Sequence, residues 1–348
     1  MDGLVDIISG SFGAGHDAAA AAIVEQLDEI GVSTRTWDIV DLMSGRLGRL
    51  LRGAYLRQVQ MVPGSWRWLL NRVDGGQQVS ATITAALRRT STALVDIAAD
   101  GPSLILSTHP FASQALGALR ERGQITKPVA TYLTDMSVHP LWVHPGVDQH
   151  FAIHRLAAEA AAARGARGVT LVEPAVARRF HRRSTAQRAR WALPDGPVAL
   201  VAGGSWGVGQ LRDSAQDIAA TGVAAPIVMC GSNDRLRRRL ERDGIRALGW
   251  VEDVPELLSC VDVVVQNAGG MTTLEARGVG VPTITYRCLP GHGETNAQAL
   301  EAAGLTPWAR TRDELPQALT NALRAARLYL PTQPSVANAL FTPVALSA

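Results

Sequence analysis

The chain has 348 residues, of which 47% are hydrophobic and 19% charged, and its formal net charge is +3 at pH 7. This length and composition predict two globular domains with substantial cores. They exclude a transmembrane helix, since no run of about 18 apolar residues occurs. No basic region precedes an apolar run at the N-terminus, so a secretory signal is not expected, and the small net charge gives no reason to expect a nucleic-acid partner.

Short apolar runs alternate with helical segments in two sets along the chain. The first set begins with LVDII at 4–8 and reaches HFAIH at 150–154, and the second begins with PVALVAG at 197–203 and reaches PTITYR at 282–287. Strands that alternate with helices predict parallel sheets built from βαβ units. The predicted fold class is therefore α/β, with two doubly wound domains.

Changes in pattern give the domain boundaries. We predict an N-terminal domain at 1–172, a proline-bounded basic connection at 173–196, a C-terminal domain at 197–325 and a tail at 326–348. Each domain begins with a strand that leads into a glycine-rich turn. Because ligands bind at the carboxyl ends of the strands in such sheets, two domains facing each other would place both turns at one cleft.

The first glycine-rich turn, SGSFGAGH, carries Gly10, Gly13 and Gly15 directly before His16. This spacing is not the dinucleotide fingerprint, and without a following lysine it is not a phosphate-binding P-loop. The dipole at a helix N-terminus disfavours an imidazolium, so a neutral His16 could accept a proton from a hydroxyl. Taken alone, the motif favours the simpler alternative, a histidine that only caps the helix or lies on the surface.

A basic stretch at 46–72 contains six arginines interleaved with leucines and two tryptophans, and it contains no acid. Such a stretch suits an anionic membrane surface. A solvated helix face with core leucines explains the same pattern. The three cysteines, Cys230, Cys260 and Cys288, form no CxxC pair, which favours a reducing cytoplasm.

Further polar motifs follow other predicted strands. Asp135 and His139 come after PVATYLT, and Asp135 is a candidate to orient a base or to act as one. In NAGGMTTLEA, a glycine turn followed by Thr272 suits a diphosphate, and Glu275 can accept both hydroxyls of a ribose. A capping box formed by Thr272 and Glu275 is the structural alternative. The loop CLPGHGETNAQAL at 288–300 is rich in groups that can read sugar hydroxyls.

Together these motifs resemble the GT-B glycosyltransferases, and within them the branch of the monogalactosyldiacylglycerol synthases and the lipid-II-forming N-acetylglucosaminyltransferase. The N-terminal half resembles them in SFGAGHDAAAAAI, STHPF and TDMSVHPLWVHPGVDQHFAI, and the C-terminal half in AGGSWGVG, the A-G-x-x-T-x-x-E pattern and LPGHGETNA. The resemblance covers nearly the whole chain and implies the GT-B fold.

The resemblance implies a UDP site in the C-terminal half and an acceptor site in the N-terminal half. The UDP-binding residues would be Gly204, Ser205, Trp250, Val251, Gly269, Gly270, Thr272 and Glu275. The residues around the transferred sugar and the acceptor would be Gly13, Gly15, His139, His292, Glu294 and Asn296, with His16 and Asp135 as catalytic residues. The family usually has glutamine and glutamate where His292 and Gly293 stand here, which leaves the sugar open.

The implied function is inverting transfer of a hexose from a UDP-sugar to a lipid hydroxyl, with diacylglycerol as the first choice of acceptor. Neither a cofactor nor a metal is expected, since a helix N-terminus and backbone N–H groups can stabilise the departing UDP. The expected location is the cytoplasm, with a peripheral place on the inner face of the cell membrane if 46–72 binds lipid. The alternatives are a soluble natural-product glycosyltransferase, a UDP-sugar 2-epimerase-like enzyme and a non-enzymatic nucleotide-sugar-binding regulator.

Overall fold

The computed structural model divides into two compact units, residues 1–175 with 331–348 (the N-terminal unit) and residues 176–330 (the C-terminal unit). The structure describes residues 3–43, 81–181, 188–267, 269–325 and 333–341 and the single positions 48, 50 and 53, without the side chains of 81–89 and 292. The predicted membrane-binding stretch at 46–72 therefore lies outside the described residues, apart from those three positions.

The N-terminal unit contains a six-stranded parallel sheet with the strand order β2-β1-β3-β4-β5-β6. Its strands are β1 (Leu4–Ser9), β2 (Ser33–Asp38), β3 (Leu104–Ser107), β4 (Val129–Tyr132), β5 (Gln149–Ala152) and β6 (Val169–Leu171). The helices that follow in the chain are α1 (Ala14–Glu29), α2 (Ile39–Leu42), α3 (Ala81–Ala99), α4 (Pro110–Glu121) and α5 (Arg155–Ala162).

Burial explains why these segments form strands and helices. Ile7, Ile8 and Ile105 are fully buried, as expected for β-branched residues in a parallel sheet with helices on both faces. The alanine-rich α1 buries Ile23 and Leu27 together with small side chains, so it packs closely on the sheet. The chain reverses direction across the sheet between β1 and β3, and ligands bind at such switch points.

The C-terminal unit repeats this plan with the parallel order β12-β11-β10-β7-β8-β9. Its strands are β7 (Val198–Ala202), β8 (Ala225–Met229), β9 (Arg246–Leu248), β10 (Val263–Gln266), β11 (Thr283–Tyr286) and β12 (Trp308–Ala309). Its helices are α6 (Leu211–Thr221), α7 (Asp234–Arg242), α8 (Val254–Cys260), α9 (Gly270–Val279), α10 (His292–Ala302) and α11 (Leu315–Arg324). Here the switch point lies between β7 and β10.

The prediction of two doubly wound α/β domains is confirmed. The sequence prediction missed β6 and β12, two edge strands of only three and two residues. The C-terminal unit begins at residue 176, within the predicted connection, and its first part contains two short 3-10 helices, Arg178–Phe180 and Arg188–Trp191.

The end of the chain returns to the N-terminal unit. A short helix, α12 (Val336–Phe341), buries Val336 and Ala337. The Val336 N–H donates a hydrogen bond to Gln26 Oε1 on α1 at 3.1 Å. Part of the segment predicted as a tail is thus packed structure. Within the described part of the chain, no helix is both long enough and apolar enough to cross a bilayer.

Candidate active site

Three strand ends of the N-terminal unit meet at His16, on either side of the switch point. His16 lies in the first turn of α1, which follows β1. Its Nδ1 lies 2.8 Å from the carbonyl oxygen of Thr108, after β3, and 3.1 Å from the hydroxyl of Thr134, after β4. The Thr108 hydroxyl in turn donates to the backbone carbonyl of His16 at 3.2 Å. The loops after β1, β3 and β4 thus hold this ring in place.

The contact with Thr108 decides which nitrogen of His16 can act as a base. A carbonyl oxygen only accepts hydrogen bonds, so the Nδ1 that contacts it must carry the proton. In the neutral ring the lone pair is then on Nε2. If His16 accepts a proton from a hydroxyl, as predicted, the accepting atom is therefore Nε2. His16 is not the cap of α1, because the N-cap residue is Gly13.

Trp142 connects the other predicted polar residues of this site. Its Nε1–H donates to Asp135 Oδ2 at 3.2 Å, and the centroid of its buried ring lies 5.9 Å from that of His16 and 6.0 Å from that of His139. The 3-10 helix Pro140–Trp142, whose N-cap residue is His139, sets this arrangement. The structure thus brings Asp135 and His139 into the surroundings of His16, while their roles toward an acceptor stay predictions.

The glycines of the first turn do different things. A side chain at Gly13 would meet none of the described atoms within 4 Å, whereas one at Gly10 would place its Cβ 2.6 Å from Cγ of His109. Gly15 lies in the first turn of α1. Open space above Gly13 fits the predicted close approach of an acceptor. Gly10 instead makes room for a side chain of the protein itself.

His109 is a buried residue of this cluster to which the sequence analysis assigned no role. Its ring centroid lies 4.6 Å from that of His16, with the rings at 71°. Burial lowers the pKa of His109 well below its usual range, and the neighbouring His16 and His139 add to this effect while Asp135 opposes it. The one signal in the sequence was its place in STHPF, at the carboxyl end of a predicted strand.

In the C-terminal unit, the loop after β7 is folded tightly by its glycines. Gly204 and Gly207 have φ values of 70° and 54°, which favour glycine. The Ser205 carbonyl accepts from the Ser232 N–H at 2.9 Å, which fixes this loop to the one after β8. The backbone of Gly204 and Ser205 consequently lies at the carboxyl edge of the sheet, beside the switch point, where the sequence predicts part of the UDP site.

The loop after β10 leads into α9 and lies next to the loop after β7, across the switch point. Asn267, after β10, donates from Nδ2 to the carbonyl oxygen of Val208 at 2.7 Å. The helix begins at Gly270, with Gly269 as its N-cap and no capping side chain. The capping box of Thr272 and Glu275 is therefore absent, and the first N–H groups of α9, which have no carbonyl partner inside the helix, can bind an anion.

Glu275 lies in the second turn of α9 and has an unusual acidity. Burial raises the pKa of Glu275 to about 7, and the positive charge of Arg179 only partly opposes this shift. Hydrogen-bond donors that reach this carboxylate would favour its ionised form. A ribose, with two adjacent hydroxyl donors, is chemically suited to this position.

Trp250 and Val251, the residues predicted to contact the uracil of the sugar donor, differ in exposure. Trp250, just after the edge strand β9, is 66% exposed, and Val251 is partly buried. An exposed indole and an accessible backbone are compatible with a flat base at this place. Their predicted role at the uracil stays a prediction.

The polar loop before α10 has a more structural character than the sequence indicates. Glu294 Oε2 accepts from the N–H of Gly291, the N-cap residue of α10, at 3.3 Å, so this carboxylate helps to begin the helix. Asn296 is fully buried. The side chain of His292, the first residue of α10, lies outside the described part of the structure. Contacts of these three residues with a sugar stay predictions.

Comparison with solved structures identifies the fold. The chain is similar to the glycotransferase of kitacinnamycin (14% identity, 93% of this chain and 91% of that one covered, TM-score 0.58) and to Anabaena HepE in complex with UDP-glucose (13%, 92% and 89%, TM-score 0.55). These are GT-B proteins. The two doubly wound sheets of the present chain are thus those of the GT-B fold.

Family comparison then identifies each half. Residues 16–172 match the family model of monogalactosyldiacylglycerol (MGDG) synthase, and residues 199–326 match that of the glycosyl transferases group 1. The chain therefore carries a region that matches the MGDG synthases followed by a region that matches the glycosyl transferases group 1, and the predicted resemblance is confirmed.

Individual relatives agree with this assignment. Processive diacylglycerol beta-glucosyltransferase of Bacillus cereus is 27% identical over 215 residues, 58% of this chain and 55% of that protein. The protein of the same name in Bacillus licheniformis is 25% identical over 234 residues, 64% of this chain and 61% of that protein. The matches thus span little more than half the length of these relatives.

Proposed function

We propose that this protein is an inverting glycosyltransferase that transfers a hexose from a UDP-sugar to the hydroxyl of a diacylglycerol-like lipid. The observation that carries the proposal is the hydrogen bonding of His16, which lies in the region that matches the MGDG synthase family. Its Nδ1 is bound to the Thr108 carbonyl, so its Nε2 is the basic atom. The names of the Bacillus relatives support a diacylglycerol acceptor and a glucosyl donor.

On the acceptor side, the lipid hydroxyl gives its proton to Nε2 of His16. The hydroxyl oxygen forms a bond to the anomeric carbon as the bond from that carbon to the diphosphate oxygen breaks, and the electron pair leaves with UDP. Thr108 and Thr134 hold the imidazole in the required orientation throughout. Gly13 and Gly15 leave space for the lipid hydroxyl, and Asp135 and His139 complete the polar surroundings.

On the donor side, UDP is held by groups at the carboxyl edge of the second sheet. The N–H groups at Gly269, Gly270 and Thr272 meet the diphosphate, where the helix dipole stabilises the charge that develops as UDP leaves. Glu275 accepts the ribose hydroxyls, Gly204 and Ser205 line the same edge, and Trp250 with Val251 meets the uracil. His292, Glu294 and Asn296 belong to the loop for the transferred sugar. The scheme requires no metal.

A single displacement inverts the anomeric carbon, so an α-linked UDP-hexose gives a β-linked product. The relatives are named as beta-glucosyltransferases, which agrees with inversion from UDP-glucose. UDP-glucose is therefore the first donor to test. UDP-galactose is the second, because the matching family model is that of a galactosyl transfer enzyme.

The lipid acceptor also implies a place of action. We propose that the enzyme is cytoplasmic and binds peripherally to the inner face of the cell membrane, with the basic stretch at 46–72 as the contact to anionic lipid. Sedimentation with vesicles that contain or lack anionic lipid tests this part. Equal binding to both kinds of vesicle contradicts it.

The deciding experiment measures UDP release from a panel of UDP-sugars with and without diacylglycerol vesicles, and it identifies the lipid product by mass and anomeric configuration. Release that requires one sugar and the lipid, with a β-glycosyl lipid as product, is the expected result. Release without lipid but with a hydrophobic small-molecule acceptor indicates a natural-product glycosyltransferase. Conversion of UDP-N-acetylglucosamine without any acceptor indicates an epimerase, and UDP binding without turnover indicates a regulator.

A further inference from the structure

The scheme above assigns no part to His109, although its buried ring lies beside the base. The ring lies nearly parallel to that of Phe12, with centroids 5.1 Å apart, and edge-on to that of Phe111 at 5.2 Å. Gly10 lies against it so closely that any side chain there would collide with the imidazole. The His109 ring thus packs between Gly10, Phe12 and His16.

The hydrogen bonds of His109 define its tautomer, as those of His16 do. Its Nδ1 accepts from the Phe111 N–H at 3.2 Å, as the N-cap of α4. A backbone N–H only donates, so Nδ1 has no proton and the neutral ring is protonated at Nε2. Burial, which lowers the pKa of His109, keeps the ring neutral at physiological pH.

The backbone on either side of this ring is also fixed. The hydroxyls of Ser107 and Ser113 both donate to the His109 carbonyl, at 2.9 and 3.2 Å, and Thr131 donates to Ser113 at 2.9 Å. All three hydroxyls are fully buried. The Ser107 hydroxyl also accepts from the His109 N–H at 3.2 Å, which holds the peptide between Thr108 and His109. The carbonyl of this peptide is the one that contacts Nδ1 of His16.

We propose that His109 is a positioning residue for the base. Its ring lies against Gly10 and makes a T-shaped contact with the His16 imidazole. It thereby keeps the Thr108 carbonyl in line with Nδ1, so that Nε2 stays the basic atom. This inference rests on the proposed function, since it assigns the base the role given above. It also explains why the turn before α1 has a glycine at position 10.

A purely structural cap is the competing explanation, and substitutions can separate the two. In His109→Asn the amide oxygen occupies the place of Nδ1, and asparagine is a favoured N-cap residue, so α4 keeps its cap while the ring is lost. Gly10→Ala leaves His109 in the sequence but displaces its ring. Gly3→Ala, where the new methyl group has only an ordinary contact 3.6 Å from Ser103 Oγ, is the matched glycine control.

Two measurements test the proposal. Steady-state kinetics with UDP-glucose and diacylglycerol vesicles should show kcat lowered about tenfold or more by His109→Asn and by Gly10→Ala, because a displaced base loses alignment. KM for UDP-glucose and thermal unfolding should stay close to wild type for His109→Asn. The double variant should lose little more than either single one, since both act through the same ring. Gly3→Ala should behave as wild type.

The second measurement does not need activity. The imidazole ¹⁵N shifts of His16, assigned with His16→Gln, should show protonation at Nδ1 in the wild type and a mixture of tautomers in His109→Asn and Gly10→Ala. A His109→Asn protein with wild-type kcat, or with an unchanged His16 tautomer, overturns the positioning role. If the wild type transfers no sugar at all, the proposed function fails, and the ¹⁵N shifts alone still decide whether His109 positions His16.

Discussion

In the proposed scheme, the raised pKa of Glu275 makes donor binding depend on pH by an amount that can be calculated. If the ribose hydroxyls donate to this carboxylate, the ionised form binds the donor and the protonated form binds it more weakly. Glu275 has a pKa of about 7 without ligand. UDP-glucose affinity should therefore rise as the pH rises through 7, because the fraction of ionised Glu275 rises.

The size of the effect follows from that pKa. With a midpoint near 7, roughly a tenth of Glu275 is ionised at about pH 6 and roughly nine tenths at about pH 8. If only the ionised form binds, the dissociation constant falls by about tenfold over this range, or about 1.4 kcal/mol. Donor binding below pH 7 should also release a proton.

Isothermal titration calorimetry with UDP-glucose measures both quantities, and buffers with different ionisation enthalpies report the released proton. UDP-glucose is preferred to UDP because the terminal phosphate of UDP itself titrates near pH 6. Glu275→Gln should bind weakly at pH 8 and show no pH dependence. Glu159→Gln, which removes an exposed ion pair with Arg155 in the N-terminal unit, is the matched control and should leave binding unchanged.

Stability gives an independent check with the opposite sign. The pKa of Glu275 is raised from 4.5 to about 7 in the folded protein, so the folded state holds its proton more tightly than the unfolded state does. The carboxyl group therefore lowers stability as the pH rises from about 4.5 to 7, and above 7 its cost is about 3 kcal/mol. Glu275→Gln should raise the unfolding temperature at pH 8 and hardly change it at pH 4. Wild-type donor affinity in Glu275→Gln at pH 8, or a wild-type affinity that is flat between pH 6 and 8, would refute the reasoning.

Three more predictions concern the base, the metal and the donor loop. His16→Ala should lower kcat by about 10²–10⁴-fold while UDP binding and the unfolding temperature stay at wild-type values, since a general base contributes about that factor; normal turnover would remove His16 from the scheme. Dialysis against EDTA should leave turnover unchanged, because in the proposed scheme the backbone N–H groups at the start of α9 hold the diphosphate without a metal, whereas activity restored only by a divalent cation would contradict this scheme. Gly207→Ala should lower the free energy of unfolding by more than about 2 kcal/mol, because φ is 54° and the new Cβ would lie 2.1 Å from the Cys230 carbonyl oxygen. Gly222→Ala, with φ 66° and no described atom within 4 Å, should cost only about 1 kcal/mol in the same chemical denaturation experiment.

The sequence by itself determined the fold class and the strand ends at which the candidate site residues lie. Apolar runs that alternate with helical segments can be recognised from local sequence alone. The glycine and polar residues that follow these runs mark the carboxyl ends of β1, β7 and β10. The edge strands β6 and β12 were missed because strands of three and two residues have no periodicity to detect.

Only the tertiary structure decided how individual side chains are placed. The carbonyl that fixes the tautomer of His16 lies 92 residues away in the chain, and the hydroxyl beside it lies 118 residues away. The raised pKa of Glu275, the burial of Asn296 and the contact of Gly10 with His109 likewise depend on what packs around each group. Hydrogen-bond partners and burial come from segments that are distant in sequence, so no local pattern could reveal them. The chemistry of the site thus required the fold, although its residue types were already visible in the sequence.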